Sequence, residues 1–164
     1  MQASLVVALA CLACITSGFR LRGNRYIDCG SKLAEIVDVT VTPCDTLPCP
    51  LYRGENATIT VQFKPREFAC HSGHHDQRID TGKAVVHGLV AGIPVPFPIE
   101  KDDMCSFTQP SCPLAANNLA TYTYQLPVLQ AYPKMRVTVK WELQDASKKD
   151  IICANIPVQI EDRK

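Results

Sequence analysis

The sequence predicts an all-β fold, an immunoglobulin-like antiparallel β-sandwich of about seven strands. Three observations support this prediction. Apolar and polar residues alternate with a period of two in several segments, no segment beyond the N-terminus has a sustained helical period, and 12 prolines and 8 glycines punctuate the chain at turn-like intervals. The 164 residues suffice for one domain of ordinary size, and no repeat or linker marks a second.

The predicted strands lie where apolar side chains recur at every second position. They cover residues 37–42, 58–63, 121–124, 135–143 and 156–161, and a more continuous apolar run covers 83–93. In the segment 135–143 four apolar side chains share the face expected to pack on the core: Val137, Val139, Trp141 and Leu143. The polar face of the same segment, which includes Glu142, is expected to meet water. The polar residues 145–150 predict a hairpin turn between the last two strands.

The segment 92–99, with the sequence GIPVPFPI, has proline at every second position. Proline cannot donate a ladder hydrogen bond, so the segment is predicted to be an edge strand or an extended loop. Its other side chains are apolar, as are those of Leu126, Val128 and Tyr132 beside further prolines. These groups are expected either to close the end of the core or to line an opening into it.

Composition and charge exclude several classes of protein. With 17 basic and 16 acidic residues the formal charge is +1, which argues against a nucleic-acid partner. Apolar residues make up 46% and charged residues 20%, as in a globular protein. Neither a Gly-x-Ser-x-Gly elbow nor another catalytic constellation is recognisable, so we expect no enzyme, and we interpret His87 as a structural histidine.

The N-terminus is predicted to be a secretory signal peptide over residues 1–18. Residues 1–15 are uncharged and strongly apolar, but too short for a membrane span, and small residues follow at 16–18. Residues 19–164 are therefore expected to form a secreted protein. An N-X-Thr sequon at Asn56 is then a candidate N-glycosylation site.

Nine cysteines in a chain of this size are typical of a secreted protein. Two fall within the predicted signal peptide, which leaves seven. Spacing suggests two local pairs around proline-containing turns and one long-range pair, a hypothesis that spacing alone does not prove: Cys44–Cys49, Cys105–Cys112 and Cys29–Cys153.

The remaining cysteine lies in a histidine-rich segment. Cys70, His71, His74 and His75 have the residue types of a zinc or copper site. We expect an exposed polar loop with no metal, and keep the metal site, or a Cys70 bond to another chain, as alternatives.

Short motifs in a fixed order extend from about residue 26 to residue 160. They are DCGS at 28–31, PC at 43–44 and 48–49, KAVVHG at 83–88, GIPVPFPI at 92–99, LPV at 126–128, YP at 132–133, WELQD at 141–145 and IPVQI at 156–160. In this order they resemble the MD-2-related lipid-recognition (ML) family, and within it the Niemann–Pick type C2 group.

The resemblance implies a lipid cavity between the two sheets, which would hold cholesterol or a related sterol with its apolar tail inward and no other cofactor. It implies the same three disulfides. The matching lipid-binding positions are Phe97, Val128 and Tyr132, with further pocket positions at Pro133, Pro127, Leu126, Val95, Ile59, Tyr124 and Trp141.

The resemblance also implies partners and a location. The expected partners are the Niemann–Pick type C membrane transporter and anionic endolysosomal membranes, the expected location includes the lysosomal lumen, and we expect a monomer. Five basic residues near the last hairpin would meet lipid headgroups or form an ordinary solvated face: Lys134, Arg136, Lys140, Lys148 and Lys149.

The chain departs from the family pattern in two ways. The loop 64–82 is longer, and Ala57 and Ala154 replace bulky aromatic residues, which would widen the cavity. The alternative function is therefore binding of another lipid, such as a fatty acid, a microbial lipid or a semiochemical.

Overall fold

Two β-sheets face each other across an apolar interior in the computed structural model, which describes residues 26–67 and 78–163. These residues form ten strands: β1 Ile27–Asp28, β2 Ala34–Thr42, β3 Cys49–Tyr52, β4 Asn56–Pro65, β5 Lys83–Val90, β6 Ile93–Pro96, β7 Thr108–Gln109, β8 Ala120–Pro127, β9 Arg136–Gln144 and β10 Asp150–Glu161. A short 3-10 helix, Met104–Phe107, precedes β7. The predicted signal peptide and Cys70, His71, His74 and His75 lie outside the described residues.

The predicted all-β sandwich is confirmed. One sheet has the order β1-β10-β9-β5-β6, with β3 also paired to β10, and the other has the order β2-β4-β8-β7. The described residues contain more strands than the predicted seven because four have only two to four residues, too few to show alternation. The β3–β10 pair is parallel, and the other pairs among the described strands are antiparallel. No helix in this part of the chain is long and apolar enough to span a membrane.

The alternating sequence of β4 explains how the sheets pack. Ala57, Ile59, Val61 and Phe63 are buried, while the intervening Thr58, Thr60 and Gln62 are only partly buried. Since successive side chains of a strand point to opposite faces, one face of β4 packs on the other sheet. Fully buried large side chains fill one half of the sandwich, among them Trp141, Tyr122, Phe63 and Met104.

The three predicted disulfides are formed. Cys29–Cys153 joins the N-terminal segment to β10, Cys44–Cys49 closes the turn before β3, and Cys105–Cys112 ties the 3-10 helix to the loop after β7. The predicted turn after β9 is also present, and Asp145 organises it. Its carboxylate accepts hydrogen bonds from the main-chain N–H groups of Ser147 at 2.9 Å and Lys149 at 2.8 Å.

The proline-rich segment forms an edge strand, which was one of its two predicted forms. β6 is the last strand of its sheet and pairs only with β5. Its prolines lack an N–H group, and an edge strand tolerates this because no further strand lies on its other side. A two-residue turn joins β5 to β6, and Ala91 and Gly92 both have positive φ, at 50° and 81°. Positive φ at both positions is what a type I′ hairpin requires, and this turn sets the register of β6.

Candidate functional site

An apolar cavity of about 280 Å³ lies between the sheets, at the end of the sandwich where β9 begins. Its walls are almost entirely carbon. The lining residues come from β3, β5, β6, β8, β9, β10 and the loops beside them: Leu51, Val86, His87, Gly88, Val90, Val95, Pro96, Phe97, Leu126, Val128, Tyr132, Pro133, Met135, Val137, Val139, Val158 and Ile160.

Two aromatic rings meet at the rim of this cavity. The ring of Phe97 contacts that of Tyr132 edge to face, with 5.5 Å between the centroids. The main-chain N–H of Phe97 donates to the carbonyl of Val86 at 2.8 Å, which fixes the chain just after β6. Partial burial raises the pKa of the Tyr132 hydroxyl, so this lining side chain stays uncharged at physiological pH.

A small inner cavity of about 30 Å³ continues the space toward the packed half of the sandwich. It shares Leu51, Leu126, Val139 and Val158 with the larger cavity, and is further lined by Val41, Ala57, Thr58, Ile59, Trp141 and Ile156. The small side chain of Ala57 leaves this space open. The Trp141 ring bounds it, and Tyr124 packs against that ring with 5.6 Å between the centroids.

The structure brings eight of the ten predicted lipid-binding residues to these two cavities. Six line the larger one: Phe97, Val128, Tyr132, Pro133, Leu126 and Val95. Ile59 and Trp141 line the inner one. The other two predicted residues do not line either cavity. Tyr124 is buried behind Trp141, and Pro127 is exposed because it follows the lining residue Leu126 along β8 and points to the opposite face.

Sequence reasoning missed several lining residues. Val137, Val139 and Val158 line the larger cavity, and the alternation of apolar and polar residues in β9 and β10 could have assigned them to its wall. Leu51 had no such signal, because β3 reaches the cavity only through its parallel pairing with β10, between segments far apart in the chain.

A buried carboxylate lies on the outer side of the cavity wall. Glu142 is only 4% exposed, although alternation predicted it on the solvent face. It accepts hydrogen bonds from Lys140 at 2.8 Å and pairs with His87 Nδ1 at 3.2 Å, so its charge is matched. These contacts agree with the interpretation of His87 as a structural histidine.

The same carboxylate belongs to a group with metal-ligating residue types. Glu142, Asp150 and Cys153 come within ligand distance of one another in the described part of the chain. The sulfur of Cys153 is in a disulfide and cannot supply the thiolate that a metal requires, so these residues do not fit a metal ion. Burial, together with the nearby charge of Glu142, raises the pKa of Asp150.

The fold and the cavity define a class of protein, a β-sandwich with an apolar cavity between its two sheets at one end. The family model of the ML domain matches residues 23–160. The zebrafish (Danio rerio) NPC intracellular cholesterol transporter 2 is 43% identical over 136 residues, which are 83% of this chain and 84% of the relative. Homolog a of the same transporter from Drosophila melanogaster is 38% identical over 155 residues, covering 93% and 96% of the two chains.

A solved structure shows the same fold. The crystal structure of a Niemann-Pick type C2 protein from Japanese carpenter ant superimposes with a TM-score of 0.71 at 24% identity, covering 83% of this chain and 98% of that one. The chain belongs to the ML domain family, as the order of its motifs indicated.

Proposed function

We propose that the protein is a sterol-binding transport protein that holds cholesterol or a related sterol in the apolar cavity. The observation that carries this proposal is the carbon-lined space between the sheets, with stiff aromatic faces from Phe97 and Tyr132 at its rim. A sterol is a rigid apolar plate with one hydroxyl, so its site needs shape and apolar walls more than charge. The cholesterol-transporter names of the similar proteins support the same assignment.

We propose that the apolar tail of the ligand points toward Ile59 and Trp141 in the inner cavity and that the hydroxyl remains at the open rim, where water can reach it. The family resemblance implies the same orientation. Burying on the order of 400 Å² of apolar ligand surface is worth up to about 10 kcal/mol, before binding costs are subtracted. A ligand held this strongly against water leaves slowly into solution, so transfer is expected on contact with an acceptor.

Native mass spectrometry of the purified protein, with extraction and identification of the bound lipid, tests this function. One sterol per chain supports it. A fatty acid or microbial lipid in place of sterol favours the alternative ligand class, for which the open space beside Ala57 is the structural argument. A protein that is empty and ignores added sterol contradicts the proposal.

For delivery, we propose that the rim of the cavity docks on the acceptor membrane or on a membrane transporter. The β5–β6 hairpin exposes Val90, Ile93 and Val95, and Leu129 is exposed on the loop after β8. Lys134, which is paired with Asp162, and Arg136, which donates to Gln159, each follow a lining residue in the chain. Lys140 is bound to Glu142, and Lys148 and Lys149 lie in the turn at the far end of β9, so the five basic residues do not form one patch.

The variant Ile93→Asp tests membrane docking. Ile93 is 66% exposed and does not line the cavity, so sterol affinity is expected to stay unchanged. A carboxylate at the hairpin tip opposes contact with an anionic bilayer, and we expect sterol transfer to phosphatidylcholine–phosphatidylserine vesicles to slow by roughly tenfold. Val37→Asp on β2, where the side chain is 45% exposed, is the matched control. Equal slowing in both variants would contradict docking by the hairpin.

Secretion, glycosylation and the absence of enzymatic activity also belong to this proposal. Asn56 is exposed at the start of β4, where a glycan has room in solvent. Treatment of the secreted protein with an N-glycosidase is expected to lower its mass, and Asn56→Gln is expected to abolish that shift. A mass shift that persists in Asn56→Gln would contradict this site.

We propose that the exported protein acts as a monomer, in the extracellular space or the lysosomal lumen.

A further inference from the structure

One wall of the cavity is a loop without regular secondary structure. Residues 129–133, here called the cavity loop, follow β8 and carry Tyr132 and Pro133, while Val128 precedes them. Inside the loop the N–H of Tyr132 donates to the carbonyl of Leu129 at 3.1 Å. Such a short turn does not by itself hold a loop against a sheet, so contacts from elsewhere must set its position.

The ring of Tyr132 packs on Phe97, and the hydrogen bonds to the main chain of the loop come from Arg53, in the turn between β3 and β4. One terminal nitrogen of its guanidinium donates to the carbonyls of Gln130 at 3.2 Å and Tyr132 at 3.3 Å. In return, the Gln130 side-chain amide donates to the carbonyl of Arg53 at 3.2 Å. Within residues 26–67 and 78–163, the two hydrogen bonds from the Arg53 guanidinium are the ones that connect the main chain of the cavity loop to another segment.

The other side of the same guanidinium is anchored at the end of β10. Its Nε donates to Asp162 at 2.7 Å, and its second terminal nitrogen lies 2.5 Å from the same oxygen. Lys134 binds the other oxygen of Asp162 at 3.1 Å. The hydrogen bonds from Arg53 and Lys134 lower the pKa of Asp162, so the anchor stays charged in mildly acidic solution.

The geometry uses features that distinguish arginine from lysine. The side chain of Arg53 is 20% exposed and spans three segments: the β3–β4 turn, the cavity loop and the C-terminal end of β10. A planar fork with five donors can serve a carboxylate and two carbonyls together, whereas an ammonium is a single point of charge. Main-chain hydrogen bonds also join the β3–β4 turn to Val128, the residue before the cavity loop. The N–H of Gly54 donates to the carbonyl of Val128, and the N–H of Val128 donates to the carbonyl of Glu55.

We propose that Arg53 is a positioning residue that holds the cavity loop as a fixed wall and thereby sets the rate at which the bound lipid leaves. Arg53 does not line the cavity and acts through Tyr132 and Pro133, which do. The part about ligand exit rests on the proposed function. The part about the loop does not.

The first experiment measures amide hydrogen exchange of the ligand-free protein. In Arg53→Ala, exchange is expected to rise roughly tenfold at the Tyr132 amide, because the loop loses its two links from the guanidinium. Arg53→Lys is expected to behave like Arg53→Ala, since it retains the charge near Asp162 but not the fork. Asp162→Asn retains the two carbonyl bonds and is expected to change exchange by less than about twofold. Unchanged exchange in Arg53→Ala overturns the proposal.

The second experiment measures dissociation of a fluorescent sterol from the same variants. Arg53→Ala and Arg53→Lys are expected to release it roughly tenfold faster than the wild type. Phe107→Ala, a substitution in the packed half that lowers stability without touching the cavity, is the control for a general loss of stability. Equal acceleration in Phe107→Ala overturns the specific role of Arg53. A wild type that binds no sterol contradicts the proposed function and leaves the exchange result to decide the role of Arg53 in the loop.

Discussion

Removing the Cys29–Cys153 disulfide is expected to lower the free energy of unfolding by about 5 kcal/mol, the largest stability effect among the variants considered. The bond joins residues 124 positions apart, so its loss frees almost the whole described chain in the unfolded state. It also ties the N-terminal segment to β10, where β1 contributes only two residues of pairing. The variant Cys29→Ala/Cys153→Ala, unfolded in urea, measures the effect.

The matched control is Cys44→Ala/Cys49→Ala, which opens a loop of sequence separation 5. The same chain-entropy argument assigns about 2 kcal/mol to so short a loop. Both double variants are made in a Cys70→Ser background, so that Cys70 cannot take part in thiol–disulfide exchange. An equal loss in the two double variants would show that loop length does not govern the contribution of the long-range bond.

The variant Phe97→Ala is expected to weaken sterol binding by roughly ten- to hundredfold while the protein stays folded. Phe97 supplies a ring to the cavity wall and supports the ring of Tyr132, so both faces at the rim are affected. Losing one aromatic contact surface is expected to cost about 1.5–3 kcal/mol of binding free energy, which corresponds to the ten- to hundredfold weaker binding. Equilibrium titration with a fluorescent sterol measures it, and circular dichroism with thermal unfolding verifies the fold.

Phe107→Ala separates a cavity effect from a packing effect. Phe107 is also a partly buried phenylalanine, but its ring packs on Tyr122 and Tyr124 in the solid half of the sandwich, with centroid distances of 6.4 and 5.0 Å. Its removal is expected to lower the melting temperature and leave sterol affinity unchanged. Retained affinity in a folded Phe97→Ala variant would be evidence against the assignment of the cavity as the sterol site.

Local patterns predicted a large part of this molecule. Alternation in β4, β9 and β10 identified the faces that form the core, because successive side chains of a strand always point to opposite sides. The prolines of the segment 92–99 predicted an edge because their missing N–H groups are tolerated only there. Family resemblance then assigned the cavity residues, and six of the ten predicted positions line the larger cavity.

Local patterns failed where distant segments meet. Alternation placed Glu142 in water, but the neighbouring strands bring His87 beside it and cover it. Pro127 was assigned to the cavity by the family resemblance and not by a local pattern, and the alternation along β8 places it on the face opposite Leu126. For Arg53 no periodic or motif signal existed, since its partners Gln130 and Asp162 are 77 and 109 positions away in the chain.

The sequence by itself determined the fold class and the apolar faces of the long strands. These follow from the period of side-chain directions along a strand, which is a property of short segments. The spacing of the cysteines only suggested the disulfide pairs, and the family resemblance implied both these pairs and an apolar site. Only the tertiary structure decided that the two sheets pack solidly around Trp141 and Tyr122 yet leave space beside Phe97 and Tyr132. A cavity forms where two apolar faces do not meet, and that separation depends on strand pairing and loop contacts between residues far apart in the chain.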